Sequence, residues 1–336
     1  MKAALFSRPG TLEVVDRSVR SPGAGEILVS IEACGVCGTD LHIVEGSSRS
    51  TPPVVLGHEF AGVVEVIGAS VQELCPGLRV AVDPNIFCGT CFFCRRGLVH
   101  LCKNLRALGV DIDGGMAELC VVPFAQAYRL PDGFPLDAAP FVEPVSCAVH
   151  GIDRAGIRSG DTVVILGGGT LGLIILQLAR HAGATRTIIV EPRDWKREGA
   201  RGLGATLAVG PQNAKEAVLD LAPEGADVVI ECAGTAASAT AAVDLVRRGG
   251  TLEFFGVCPK GDTIPVEPHE VFLRELTIVG SFVNPHTFDR AIQLLAAGIV
   301  RVDAFRIRRF PVGGVHDALR ALKEGETLKS MIVPGA

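Results

Sequence analysis

The chain has 336 residues, nearly half of them apolar, which is enough for two domains with their own cores. Its formal net charge is −5 and it has no Lys/Arg-rich run, which argues against a nucleic acid or an anionic membrane as main partner. No apolar run approaches the roughly 20 residues needed to cross a bilayer.

The start, Met1-Lys2-Ala3-Ala4-Leu5-Phe6, runs into polar sequence containing Pro and Gly, with no apolar core or cleavage site of a signal peptide. The expected location is the cytoplasm, where thiols stay reduced. Eleven cysteines are then metal ligands and core residues rather than a disulfide framework.

Residues 1 to 33 alternate apolar and polar positions in short runs punctuated by Pro22, Gly23 and Gly25, a β pattern with turns. Further strands are expected over 61–67, 77–82 and 119–122. Between the first of these stretches lie Cys37-Gly38-Thr39-Asp40-Leu41-His42 and Gly57-His58-Glu59. A thiolate, an imidazole and a carboxylate suit a tetrahedral zinc with a fourth position open to water or substrate. The plainer alternative is a buried core thiol beside a satisfied loop histidine.

Cys88, Cys91, Cys94 and Cys102 follow with the spacing C-x2-C-x2-C-x7-C. Four thiolates wrap one ion in a closed shell, and a closed shell is structural. A ferredoxin-type cluster would need a three-residue last gap followed by Pro. A nucleic-acid-binding zinc ribbon would need more than the basic residues Arg95, Arg96 and Lys103. Farther on, Glu143 sits in the apolar stretch Phe141 to Cys147, where a carboxylate needs a partner or a metal. A salt-bridged Glu at a helix start is the equal alternative.

In the second half, Asp161 to Leu166 reads as a buried parallel strand and runs into Gly167-Gly168-Gly169-Thr170-Leu171-Gly172, followed by a helical pattern to His181. This is G-x-G-x-x-G in its strand–turn–helix setting, with a pyrophosphate expected at the helix N-terminus. The next strand, 186–190, ends in Glu191, placed to bind ribose hydroxyls and repel a 2′-phosphate. NAD is therefore expected ahead of NADP, with Arg193 nearby as a softening influence or as a solvated loop charge. Strands over 226–231, 251–257 and 276–282, and a helix from 236 to 246 ended by Gly249-Gly250, continue a βαβ pattern. The tail, helical from Thr287 and again over 315–322, is not needed for that sheet.

Taken together, these motifs resemble the zinc-dependent medium-chain alcohol dehydrogenase family, in its sorbitol, polyol and threonine dehydrogenase branch. The resemblance runs the length of the chain and implies an α/β protein in which a GroES-like, β-rich catalytic domain (1–151, with a zinc lobe at 88–102) is interrupted by a doubly wound Rossmann domain (152–285). The tail, 286–336, would return to the catalytic part. It implies two zinc ions: a catalytic one on Cys37, His58 and Glu59, with Glu143 as a further ligand or partner of bound water, and a structural one on Cys88, Cys91, Cys94 and Cys102. Thr39 and His42 match proton-relay positions. Gly167, Gly169, Thr170, Leu171, Gly172, Glu191 and Arg193 match cofactor-binding ones. The implied partners are a small alcohol or ketone substrate and further copies of the chain, as a dimer or tetramer.

One departure leaves the substrate open. Sorbitol dehydrogenases tend to carry an Arg-Tyr pair where this chain has Val283-Asn284, and the loop between His42 and His58 is shorter than in threonine dehydrogenases. Ser47, Glu118 and Asn284 are candidates for binding additional substrate hydroxyls. The alternative activities are a biosynthetic ketone or aldehyde reductase, an amino-alcohol dehydrogenase and, remotely, a non-catalytic relic of the fold.

Overall fold

The computed structural model describes residues 1–335 and divides into two compact units. The first holds residues 1–144, 288–296 and the chain from 305 onward. The second holds residues 145–287 and 297–304.

The first unit is built on a seven-stranded sheet whose centre is the antiparallel pair Glu26–Gly35 and Glu59–Ile67. Alternation along Glu26–Gly35 buries Ile27, Val29, Ile31 and Ala33. Their face packs with Phe6, Phe60, Val64, Val80 and Met116 into the unit's core. The register of the central pair sets Gly35 opposite Glu59. That pairing brings the residues just after the first strand and just before the second to one end of the sheet, so Cys37 and His58 meet there. This unit also takes in residues 305–335. Its strand Lys329–Ile332 pairs antiparallel with Glu26–Gly35, setting Met331 opposite Gly35, and parallel with Ile307–Phe310.

The second unit is a six-stranded parallel sheet. Its strands lie in the order Leu207–Val209, Arg186–Val190, Thr162–Leu166, Ala226–Glu231, Val246–Phe254, Thr277–Gly280. This is the 3-2-1-4-5-6 order of a dinucleotide-binding sheet, reversing direction beside the first strand. The central strand Thr162–Leu166 is buried along its whole length, as a strand covered on both faces requires.

One expected boundary is corrected. The helix Ala236–Leu245 does not run to the glycine pair. A strand begins at Val246 and passes through Gly249 and Gly250 to Phe254. Gly249 adopts a φ of 66°, and the register against the neighbouring strand slips between Ala226 and Val228. The glycines therefore belong to an irregularity within a strand rather than to a helix end.

Candidate functional site

The end of the long strand pair holds the first cluster. Cys37 caps the N-terminus of the helix Gly38–Glu45, and the Asp40 carboxylate accepts a hydrogen bond from the Cys37 N–H at 2.8 Å. This reciprocal cap forms because Asp stands three residues after the cap position. The other oxygen of Asp40 lies 3.5 Å from His58 Nδ1. Asp40, fully buried, thus orients both Cys37 and His58. Burial alone would push the His58 imidazole pKa down, but the negative charge of Asp40 beside it, with help from Cys37, holds it well above the ordinary value.

Ligand atoms of Cys37, His58 and Glu59 all lie within 4.8 Å of one another. Bond lengths of about 2.0–2.3 Å to one zinc ion require mutual separations in that range, so the donor set and its spacing fit the metal. Glu143 opens the helix Val142–Ala155 and is buried. It is not in this three-residue group, although its charge reaches Lys329. Thr39 Oγ1 lies 3.7 Å from Cys37 Sγ, and His42 follows three residues later on the same helix, with its Nδ1 3.3 Å from Ser47 Oγ.

Two residues of this site escape a reading of the sequence. The role of Asp40 is signalled only by the capping spacing. Lys329 gives no local signal: it lies some 270 residues from Glu59, and only the sheet register places its ammonium against the Glu59 carboxylate. Burial pushes the Lys329 pKa down, yet Glu59, Cys37 and Glu143 together raise it, so it is a cation. The backbone at Gly35 passes so close to the pair that a Cβ there would collide with both side chains.

The second cluster is a closed set of thiols. Cys91 Sγ lies 3.5 Å from Cys94 Sγ and 4.0 Å from Cys102 Sγ, and Cys102 Sγ lies 3.5 Å from Cys88 Sγ. These separations are far from the ~2 Å of a disulfide. They bracket the ~3.8 Å edge of a tetrahedron of sulfurs about 2.3 Å from a central zinc. The N–H groups of Thr90 and Cys91 lower the Cys88 pKa to about 5, favouring the thiolate a metal needs.

In the second unit, Gly167 turns the chain out of the strand Thr162–Leu166 at φ 109°, and Gly169 caps the helix Thr170–His181. A Cβ on Gly172 would collide with the Gly167 carbonyl, while the space beside Gly169 is open. Gly167 and Gly169, together with Glu191, Arg193 and Lys196, border a cavity of about 520 Å³. The geometry offers a helix N-terminus to an anion, with a carboxylate at the end of the adjacent strand.

Of the three residues considered for substrate hydroxyls, Asn284 is buried. The Glu118 carboxylate accepts from the Lys2 N–H at 3.0 Å, and Ser47 bonds to His42.

A parallel dinucleotide-type sheet joined in one chain to a β-rich unit with an open and a closed metal-ligand cluster is the make-up of a zinc-type dehydrogenase. Residues 23–132 match the alcohol dehydrogenase GroES-like domain and residues 170–297 the zinc-binding dehydrogenase domain. D-arabinitol dehydrogenase 1 of Uromyces fabae is 32% identical over 99% of this chain and 97% of its own length. The L-threonine 3-dehydrogenase of Pyrococcus horikoshii is 34% identical over 98% and 97%. A Sinorhizobium meliloti protein described as a zinc-binding dehydrogenase, crystallised with NADP, superposes with a TM-score of 0.95 at 42% identity, covering 99% of each chain. The chain belongs to the zinc-dependent medium-chain alcohol dehydrogenase family.

Proposed function

We propose that this protein is a zinc-dependent oxidoreductase that moves a hydride between a secondary alcohol, of polyol or cyclitol-like type, and NAD or NADP. The observation that carries the reading is the convergence of Cys37, His58 and Glu59 ligand atoms within 4.8 Å, in a chain that also carries the glycine loop. These three residues would hold the catalytic ion and the four thiols the structural one. When bound, the catalytic zinc supplies Lewis-acid polarisation of the substrate oxygen, and the nicotinamide supplies the hydride acceptor.

The chain's own residues do the rest. Asp40 fixes the imidazole of His58 and the backbone of Cys37, so that both ligands keep their orientation. Lys329 balances the charge of Glu59 in a buried setting, leaving less negative charge to oppose a substrate oxygen that is losing its proton. Thr39 Oγ1 stands beside Cys37 to take up the alcohol proton, and the His42 imidazole, half-exposed and bonded to Ser47, releases it to solvent. The Gly167 to Gly172 turn presents backbone N–H groups to the pyrophosphate, with Thr170 and Leu171 opening the helix that receives it.

The curated relatives act on a pentitol and on an amino alcohol, and both names describe alcohols bearing a second polar group. This supports a polyfunctional secondary alcohol. The direct test is turnover with a panel of such alcohols and the matching ketones. A preference for unfunctionalised alcohols would overturn the polyol part alone.

We also propose a homo-oligomer in the cytoplasm. The strand Thr277–Gly280 ends its sheet and is largely exposed, with Phe272, Leu273, Ile278 and Phe282 exposed in and around it. Such an apolar edge is a ready template for a second copy. All eleven cysteines are unbridged, in keeping with a reducing compartment. No helix among the described residues is long and apolar enough to cross a membrane. Sedimentation of the zinc-loaded protein, unaltered and with Ile278→Lys, tests the assembly. A monomer in both cases would contradict it.

A further inference from the structure

We infer that Asp111 is a positioning residue for the open metal-ligand cluster: it fastens the loop before His58 to the turn that leaves the thiol lobe, and so fixes the segment that carries His58. The inference rests on the proposed function, in that Cys37, His58 and Glu59 are read as the site of the catalytic ion.

Asp111 belongs to neither ligand cluster, yet its side chain is only 5% exposed and both its oxygens are engaged. Oδ1 accepts from the Thr51 hydroxyl at 3.0 Å. Oδ2 accepts from the Ala107 N–H and from Arg49 Nη2, each at 3.0 Å. A buried carboxylate needs donors in place of its lost hydration. Here the donors come from two different segments. Arg49 and Thr51 lie in the loop between His42 and His58, and Ala107 lies on the chain leaving the lobe.

The lobe gives that chain a firm base. Asn85–Ile86, just before Cys88, pairs antiparallel with Arg106–Ala107, just after Cys102, so both ends of the lobe are clasped. The N–H groups of Val110, Asp111 and Ile112 then donate to the Ala107 carbonyl at 3.2, 2.8 and 3.2 Å, which closes a tight turn around Asp111.

From this turn the chain runs along the His58 segment. Gly114, Gly115 and Met116 donate to the carbonyls of Val55, Gly57 and Leu56 at 2.9, 2.8 and 2.9 Å, and Asp113 accepts from the Val55 N–H at 2.9 Å. A Cβ on Gly109 would stand 2.4 Å from the Gly57 carbonyl carbon and 2.8 Å from the His58 nitrogen, so the two backbones touch. The segment is therefore gripped twice. Backbone bonds hold residues 55–57, and the Asp111 carboxylate, with the Val110 carbonyl accepting from the Thr51 N–H at 3.0 Å, holds residues 49–51.

Metal–ligand distances tolerate only about ±0.2 Å, so a small shift of the chain before His58 lowers affinity at the open cluster. The closed set takes all four thiols from residues 88–102 and needs no such tie. Loss of Asp111 should be felt selectively at the open cluster, whereas a residue that merely stabilised the unit would weaken both.

The test reads metal binding rather than turnover. Zinc is drawn from the loaded protein by a chromophoric chelator, and the step missing in Cys37→Ser is assigned to the open cluster. Asp111→Ala should weaken that ion at least about tenfold and the thiol-bound ion less than about twofold. Asp111→Asn keeps an acceptor for the Ala107 N–H and an amide for the Thr51 hydroxyl, and should bring the open-cluster affinity back to within about threefold of the unaltered protein. Arg49, 72% exposed, can be removed without opening the core. Arg49→Ala should show the same selectivity with a loss of about threefold, and it decides the matter if Asp111→Ala does not fold. Equal weakening of both ions overturns the inference alone, as does an open-cluster ion unchanged in Asp111→Ala, or in Arg49→Ala where Asp111→Ala does not fold. Binding of the thiol-held ion alone by the unaltered protein overturns the reading of the open cluster with it.

Discussion

Lys329 and Glu59 form an ion pair in which both side chains are almost wholly buried, 4% and 3% exposed. They lie far apart in the chain and meet across Gly35, where no side chain intrudes. A buried pair of this kind adds little net stability over an apolar pair, yet breaking it leaves one charge stranded.

Replacing Lys329 with Met should therefore cost about 3–5 kcal/mol in metal-depleted protein. The loss should shrink when zinc is present, because the ion takes over neutralising Glu59. Chemical denaturation with and without zinc measures both values. A cost that is negligible in both states would show that Glu59 does not depend on Lys329.

Elemental analysis should find two zinc ions per chain, one for each ligand cluster. Cys37→Ser should lose one ion and all turnover while remaining folded. Cys91→Ser should lose the other, and with it thermal stability or assembly, since a closed thiolate shell contributes directly to folding. Iron in either place, or a single ion in fully loaded protein, would contradict this assignment.

Glu253 lies fully buried in the strand Val246–Phe254, and neither carboxylate oxygen has a hydrogen-bond partner among the described residues. Burial raises its pKa from 4.5 to about 8, with Arg154 opposing. Between these two values the folded chain holds a proton that the unfolded chain has released. Its contribution to stability is thus complete below about pH 4.5, falls as pH rises toward 8 and is then level. The slope attributable to this group is at most about 1.4 kcal/mol per pH unit. Thermal unfolding between pH 6 and pH 8.5 should show the decline, and Glu253→Gln should flatten it. An unchanged slope in the variant would show that Glu253 is not its source.

Polyols or cyclitol-like compounds should exceed ethanol and 2-propanol by at least about a hundredfold in kcat/KM, because a site built to bond a neighbouring hydroxyl is left unpaired by a substrate lacking it. Asn284 is buried, so Asn284→Ala should act through packing and lower stability along with turnover. Steady-state kinetics beside a melting curve separates the two effects. Loss of polyol turnover at unchanged stability would instead place Asn284 against the substrate.

What could be read from the chain alone follows the range of each signal. The thiols from Cys88 to Cys102 and the glycines from Gly167 to Gly172 are local runs whose spacing already implies their geometry. Cys37 and His58 were legible as ligand types, but their meeting depends on Gly35 facing Glu59 in a sheet register. Lys329 was invisible for the same reason, carried further: two strand pairings are needed to bring it to Glu59. Gly249-Gly250 misled because a glycine pair usually ends an element, whereas here it accommodates a slip within a strand.

The most direct test of the proposed chemistry follows the reduced-nicotinamide absorbance band with NAD or NADP and a panel of secondary alcohols, before chelation, after it and after zinc is restored. A zinc-dependent dehydrogenase shows reduction of the dinucleotide with at least one polyol, its loss on chelation, its recovery with zinc, and no activity in Cys37→Ser under any of these conditions. Turnover that survives complete removal of the ion, or that persists in Cys37→Ser, would contradict the assignment of Cys37, His58 and Glu59 as the catalytic metal site.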